Sequence, residues 1–301
     1  MSQAFRLRAL APAKVNLFLH VGAPEANGYH PLSSLVAFAD FGDVVTIEPA
    51  EGFALSVEGP FSTELRDEPD NLIARAARAF ARAAGLDGVA ARIRLDKHLP
   101  IASGVGGGSA DAALIEAAGG LGADGPMCLV SRPALACGYG ERLELAPVLP
   151  AICAVLVNPR EPSPTGPVYR AYDAAIAPGG AEPPELPGAI ADTAALAALL
   201  ARTRNDLQAP AVALAPAIGA VLEALEAAPE TLFARMSGSG ATCFALCRDA
   251  GEAAALAARL AQAHGGWWIQ PCRLGGPWPQ QAPQKAPYEA SLAVHGEAGA
   301  T

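Results

Sequence analysis

The first clear pattern is AKVNLFLHV at residues 13–21, where Val15, Leu17, Leu19 and Val21 alternate with Lys14, Asn16, Phe18 and His20. A period of two predicts a strand with one face in a core, and it places Lys14, Asn16 and His20 together on the other face. After the turn-forming EANGYHP, the stretch SLVAFADFGDVVTIEP reads as one or two further strands. The period then changes. DNLIARAARAFARAAG, residues 70–85, predicts an amphipathic helix capped by Asp70 or Asn71 and stopped by Gly85. VAARIRLDK alternates again and ends at Lys97.

Beyond a glycine-rich segment the pattern predicts a helix over 110–118, strand character over 141–149 and a buried strand over 151–159. Residues 160–168 and 178–189, rich in Pro and Gly, read as loops. Helices are predicted over 190–203, 210–227 and 251–263, with ARMSGSGATCFALC as loop plus strand and WWIQPCRL as a closing strand. From Gly275 to Thr301 periodicity is lost and Pro, Gln, Gly and Ala dominate, which predicts a disordered tail. Mixed strands and helices in this order predict an α/β (α+β) protein. A length of 301 residues suits two domains sharing a cleft, 1–150 and 151–274.

Composition narrows the function. A net charge of −9 argues against a nucleic-acid partner, whose phosphates need a surplus of Lys and Arg. An anionic ligand would need local positive groups instead. The six cysteines, Cys128, Cys137, Cys153, Cys243, Cys247 and Cys272, form no CxxC pair. They read as reduced, mostly buried thiols rather than a metal or disulfide framework, and no protein-bound metal site is expected. The N-terminal apolar run is broken by Lys14 and Asn16, and TAALAALLA is too short to span a bilayer. A cytoplasmic protein with no membrane partner is therefore expected.

The candidate chemistry lies in PIASGVGGGSADAAL, residues 100–114, which carries four glycines within positions 104–108. Strand, glycine-rich turn and helix together aim unpaired backbone N–H groups and the positive end of a helix dipole at an anion, and phosphate is the obvious guest. Glycine lets the backbone close around the oxygens and adopt positive φ. Ser109 is placed to cap the helix or touch a phosphate oxygen. GVGGGS lacks the last glycine of GxGxxG and no GK[ST] follows, so neither the dinucleotide fingerprint nor the Walker loop fits. Taken alone, the cluster reads equally well as a flexible turn before a helix.

Its company decides the matter. PIASGVGGGSADAA, with APAKVNLFLHV near the start and RMSGSGATCFAL near the end, resembles the three motifs of the GHMP kinases, small-molecule kinases with neither a Walker loop nor a protein-kinase fold. NGYHPLSSL, DNLIARAA, LGADGP, GYGERL and RNDLQAPA extend the resemblance in order from about residue 8 to 274. They point to the branch whose acceptor is a cytidyl-linked methylerythritol. The resemblance implies the two-domain fold of that family and transfer of the ATP γ-phosphoryl group to an alcohol, with Mg²⁺ bridging the phosphates. The family's catalytic lysine matches Lys14 and its general base matches Asp124. ATP binding is implied for Pro100, Ile101, Ala102, Ser103, Gly104, Val105, Gly106, Gly107, Gly108, Ser109 and Ala110, with Asn71 and Lys97 at the adenosine end.

Substrate recognition is implied for Asn16, for Tyr29 stacking on cytosine with His30 reading its edge, and for Tyr169 as the second aromatic of that sandwich. Stacking of this kind is worth ~1–3 kcal/mol per base. Gly238, Ser239 and Gly240 form the third motif, supporting the phosphate and acceptor site. The partners implied are small molecules, and the enzyme a monomer or homodimer. Another acceptor such as mevalonate or homoserine, or a relative that binds without turnover, stays open at this point.

One departure matters. Twelve residues separate Asp111 from Asp124, where the family carries a longer helical excursion, and Gly125 replaces the valine usual in GADVP. A helix over 110–118 would climb ~13 Å. The six residues 119–124 reach at most ~20 Å when extended, so Asp124 can return to the phosphates, though on a less rigid support.

Overall fold

A computed structural model describes residues 6–63, 65, 71–101, 103–106, 131–175 and 180–278. The strands are β1 (Leu7–Asn16), β2 (His20–Val21), β3 (Leu32–Pro49), β4 (Ala54–Glu58), β5 (Ala91–Asp96), β6 (Ala134–Gly138), β7 (Arg142–Leu145), β8 (Ile152–Asn158), β9 (Phe233–Met236), β10 (Cys243–Cys247) and β11 (Trp268–Gly275). The helices are α1 (Leu72–Ala83), α2 (Thr165–Ala175), α3 (Thr193–Leu200), α4 (Gln208–Leu214), α5 (Pro216–Glu226) and α6 (Ala250–Ala263). The mixed α/β class expected from the pattern is what forms.

The hub is β3. Its run of Val, Phe, Ile and Thr favours extended backbone, and its 18 residues are long enough to take different partners along each edge. One edge pairs with β2 and β1, the other with β6, β11 and β5. The path β4-β5-β3-β11-β8-β10-β9 joins the strands into one sheet among the described residues. Pairing is antiparallel except between β4 and β5. One core cluster unites Val15, Leu35 and Leu135 with Leu156, Leu200 and Phe244, so apolar packing is continuous across position 150. The other face of β8 and β10 is covered by α2, α4, α5 and α6, through residues such as Tyr172, Ile218, Val221 and Leu256. Cys243 and Cys247 are fully buried in that layer.

Several boundaries differ from the expectations. β1 stops at Asn16 and β2 resumes only at His20, and Lys14 and Asn16, on the polar face of β1, are buried. SLVAFADFGDVVTIEP is a single strand. Asn71 is the cap of α1, its Oδ1 accepting the Ile73 N–H at 2.9 Å, and Gly85 follows with φ +66°. β6 was missed because its alanine-rich PALACG has little β-branched character. The loop expected at 160–168 already enters α2 at Thr165, since Pro167 falls in a first turn, where a missing N–H costs nothing. The helix expected over 210–227 is two, broken at Ala215 (φ −134°), with Pro216 opening the second.

ARMSGSGATCFALC is a strand, a tight turn and a second strand, β9 and β10, rather than loop plus strand. Ordered chain extends past the expected start of the tail at Gly275. β11 runs to Gly275, and Trp278 still donates its Nε1–H to the Phe38 carbonyl at 2.9 Å. Residues 279–301 lie outside the described residues, as does the helix expected over 110–118.

Candidate active site

The site grows from the end of β1. Between Pro12 and Lys14 the register against β3 slips, from Pro12 opposite Gly42 to Lys14 opposite Phe38. Irregularities of this kind re-aim the side chains that follow. The Lys14 N–H then donates to the Val105 carbonyl at 2.8 Å, tying the strand to the glycine-rich loop. Gly106 has φ +64°, and a Cβ there would lie 3.3 Å from the Lys14 Cβ and 3.4 Å from its Cε. The absent side chain is what lets the loop lie along the lysine stem.

The same loop is fastened to the turn between β9 and β10. Ser237 Oγ donates to the Gly104 carbonyl at 3.0 Å and accepts the Asn16 N–H at 3.1 Å, so one hydroxyl joins all three motifs. The Thr242 N–H donates to the Ser103 carbonyl at 3.0 Å, and Ser103 Oγ closes the loop on the Pro100 carbonyl at 2.6 Å. Asn205 Nδ2 holds the turn through the carbonyls of Met236 (2.8 Å) and Gly238 (2.9 Å). Ser239 meets Ser163 through its carbonyl (2.7 Å) and Thr165 through its hydroxyl (2.9 Å). Asn16 donates from Nδ2 to Ser34 Oγ at 2.7 Å.

Lys14, Asn16, Ser103–Gly106 and the turn carrying Gly238, Ser239 and Gly240 are thus neighbours in space. Ala102, Gly107, Gly108, Ser109, Ala110 and Asp124 lie outside the described residues. Pro100 and Ile101 lead into the loop from a segment anchored by Asp43. That carboxylate is fully buried, pairs with Lys97, and accepts the N–H groups of His98 (2.6 Å) and Leu99 (2.8 Å) from Oδ1. Lys97 is therefore an interior ion-pair partner at the mouth of the loop.

A second group lies on the loop between β2 and β3. His30 is buried, with Nδ1 2.9 Å from the Gly22 carbonyl and Nε2 3.3 Å from Asp173 of α2. Its ring packs 5.0 Å from that of Tyr169. Both ring nitrogens are committed within the protein, while its backbone N–H and C=O make no hydrogen bond among the described residues. Tyr29 is 65% exposed and stands beside Tyr139, ring centroids 5.6 Å apart.

Sequence reasoning missed Asp43, Ser237, Asn205 and the buried Arg235, and it misplaced His20. Arg235 donates to the carbonyls of Leu17 (3.2 Å), Leu200 (3.0 Å) and Thr203 (2.7 Å) and to Thr203 Oγ1 (2.8 Å). Burial lowers its pKa to about 10, leaving it charged at neutral pH, where it ties the chain just after β1 to the end of α3. His20, expected beside Lys14, instead bonds Glu182 and Arg204. Its Nδ1–H donates to the Glu182 carbonyl (3.0 Å) and Nε2 accepts the Arg204 N–H (3.4 Å), which fixes the neutral tautomer.

Burial holds His20 below the ordinary histidine range, the bond to Glu182 opposing it in part. The unfolded chain therefore takes up this proton near pH ~6.5, before the folded ring does. The stabilisation is complete above that pH and is lost as pH falls toward the folded value. The urea midpoint should decline from about pH 7.5 to about pH 5.5, and decline less in His20→Gln.

Glycine-rich loop, buried lysine and glycine turn together define a nucleotide-dependent small-molecule kinase of the mixed α/β type. The N-terminal domain model of the GHMP kinases matches residues 71–124, and their C-terminal model matches 187–266. The chain belongs to the GHMP kinase family. Within that family it aligns with proteins named 4-diphosphocytidyl-2-C-methyl-D-erythritol kinase. That of Caulobacter sp. (strain K31) is 54% identical over 292 residues, covering 91% of this chain and 100% of the relative. That of Hyphomonas neptunium is 48% identical, covering 89% and 97%. The crystal structure of a 4-(cytidine 5'-diphospho)-2C-methyl-D-erythritol kinase superposes with a TM-score of 0.68 at 35% identity, covering 89% of this chain and 99% of the other. A homoserine kinase from Cytophaga hutchinsonii shares the fold, at a TM-score of 0.62 and 18% identity.

Proposed function

We propose that this protein transfers the γ-phosphoryl group of ATP to the 2-hydroxyl of 4-diphosphocytidyl-2-C-methyl-D-erythritol, a step of non-mevalonate isoprenoid precursor synthesis, in the cytoplasm. The observation that carries this reading is the alignment, at 54% identity over 91% of this chain, with the whole length of a relative bearing that kinase's name. The geometry supports it. A phosphoryl transfer needs in-line placement and charge stabilisation more than covalent chemistry. In this reading Pro100, Ile101, Ala102, Ser103, Gly104, Val105, Gly106, Gly107, Gly108, Ser109 and Ala110 hold the phosphates, with Asn71 and Lys97 at the adenosine end.

Lys14 stabilises the charge that develops during transfer and orients the acceptor hydroxyl, whose proton passes to the carboxylate of Asp124. Asn16 and the turn Gly238–Gly240 bracket the acceptor. Tyr29 and Tyr169 flank the cytosine. The groups of His30 left to read the base edge are its main-chain N–H and C=O, because Gly22 and Asp173 take the ring nitrogens. Asp43 is paired with Lys97, and in this reading Mg²⁺ neutralises charge on the ATP phosphates.

The test is ADP release from ATP·Mg²⁺ with three acceptors. The cytidyl alcohol should exceed mevalonate and homoserine by at least about 10³-fold in kcat/KM, because a site built for a polar base leaves its groups unpaired with the smaller alcohols. Preference for either smaller alcohol would reject the assignment. Binding of ATP and the cytidyl alcohol without turnover would identify a ligand-binding relative.

A further inference from the structure

The motif GYGERL touches, through Tyr139, the loop that carries Tyr29 and His30. Its first residue, Gly138, ends β6, and Arg142 begins β7, so Tyr139 stands at the tip of a tight turn. Gly138 (φ +69°) and Gly140 (φ +111°) give that turn its shape, and Glu141 Oε2 accepts the Tyr139 N–H at 2.6 Å. The tip reaches across 112 and 114 positions of sequence. Tyr139 Oη accepts a hydrogen bond from Asn27 Nδ2 at 2.7 Å and donates one to Glu25 Oε2 at 2.5 Å.

Those partners are the framework of the recognition loop. Asn27 Oδ1 accepts the Tyr29 N–H at 2.9 Å, the Glu25 N–H donates to the Tyr29 carbonyl at 2.9 Å, and the Gly28 N–H donates to the Glu25 carbonyl at 2.8 Å. One phenol thus bonds the side chains of both residues that hydrogen-bond the Tyr29 backbone, Asn27 through its own side chain and Glu25 through its main-chain N–H, and its ring packs at 51° to the Tyr29 ring. The hydrogen bond to the Glu25 carboxylate also raises the phenol's pKa. Surface hydrogen bonds contribute little to global stability. This set instead restricts where an exposed aromatic ring can stand, which lowers the ordering cost when a planar base stacks on it.

We propose that Tyr139 is a positioning residue for the cytidine end of the substrate, holding Tyr29 in its stacking pose through Asn27 and Glu25. The proposal rests on the cytidyl-alcohol reading above. The experiment is steady-state kinetics on wild type, Tyr139→Phe, Tyr139→Ala, Tyr29→Ala and the Tyr29→Ala/Tyr139→Ala double variant, beside urea unfolding of each. Tyr139→Ala should raise KM for the cytidyl alcohol about tenfold, with kcat and KM for ATP within about twofold of wild type and the urea midpoint unchanged. Tyr139→Phe keeps the ring contact and loses the two hydrogen bonds, so it should raise that KM about threefold. The double variant should be no worse than Tyr29→Ala, since Tyr139 acts through Tyr29.

An unchanged KM in Tyr139→Ala would overturn the proposal, as would losses that multiply in the double variant. A rise in KM for ATP or a fall in midpoint of matching size would assign Tyr139 a merely structural role and overturn it equally. Wild type that turns over ATP only with another alcohol would fail the functional reading itself, and the proposal would fall with it.

Discussion

Lys14→Met is expected to lower kcat by about 10²–10³-fold while KM for ATP stays within about threefold. Methionine keeps most of the aliphatic stem that lies along Gly106, so the loop retains its contact and the lost quantity is the charge. The ammonium lies on a buried strand, where water screens it poorly and a positive charge is worth far more than at a surface. Its effect should appear in kcat because the γ-phosphoryl and acceptor oxygens redistribute charge only as transfer proceeds. Asp124→Asn should lose a similar factor by removing the proton acceptor. Retained turnover in Lys14→Met would remove the lysine from the mechanism.

Gly104→Ala should lower kcat/KM for ATP by about 10²-fold, although it adds one methyl group. Two effects compete to explain such a loss. The left-handed backbone, φ +72° at Gly104, costs an L-residue only about 1–2 kcal/mol. The larger effect is steric: the new Cβ would lie 2.5 Å from the Ser237 carbonyl oxygen, 2.7 Å from that of Gly240 and 2.9 Å from its nitrogen. Those are backbone atoms of a turn already held by Asn205 and Ser163, so no flexible side chain can yield. The loop must move instead, and misplacement by about 1 Å is enough to cost this factor. Gly88→Ala is the control, with no atom within 4 Å of the added Cβ, and it should behave as wild type. Equal kinetics for the two alanine variants would show that the Gly104 contact does not set the loop's position.

Much of this fold is legible locally. Alternation identified the strands that became β1 and β5, strand-like apolar stretches pointed to β3 and β8, and Asn71 and Gly85 marked the two ends of α1. What alternation could not supply was what covers the polar face of β1. That cover comes from Val105, about ninety residues away, and from Ser237, 221 residues beyond Asn16. The same reasoning explains Asp43. An acid within FGDVV was visible in the sequence as a polar residue in an apolar strand, but its partners Lys97, His98 and Leu99 lie over fifty residues downstream. His20 was placed with Lys14 by period two, and the break in pairing after Asn16 sent it to Glu182 and Arg204 instead.

The resemblance carried Lys14, Asn16 and the two glycine motifs to one place, where local pattern alone left a flexible turn as an equal reading. It also includes RNDLQAPA and GYGERL but implies no role for Asn205 or Tyr139. Both act through backbone groups and loop side chains that become neighbours only after the sheet assembles around β3.

Phosphorus NMR of the purified protein with ATP, Mg²⁺ and 4-diphosphocytidyl-2-C-methyl-D-erythritol tests the central claim most directly. A new phosphomonoester resonance on the carbon-2 oxygen should grow one for one with ADP, and it should be absent with Lys14→Met over the same interval. ADP accompanied only by inorganic phosphate, or a monoester formed at the same rate without Lys14, would contradict the account.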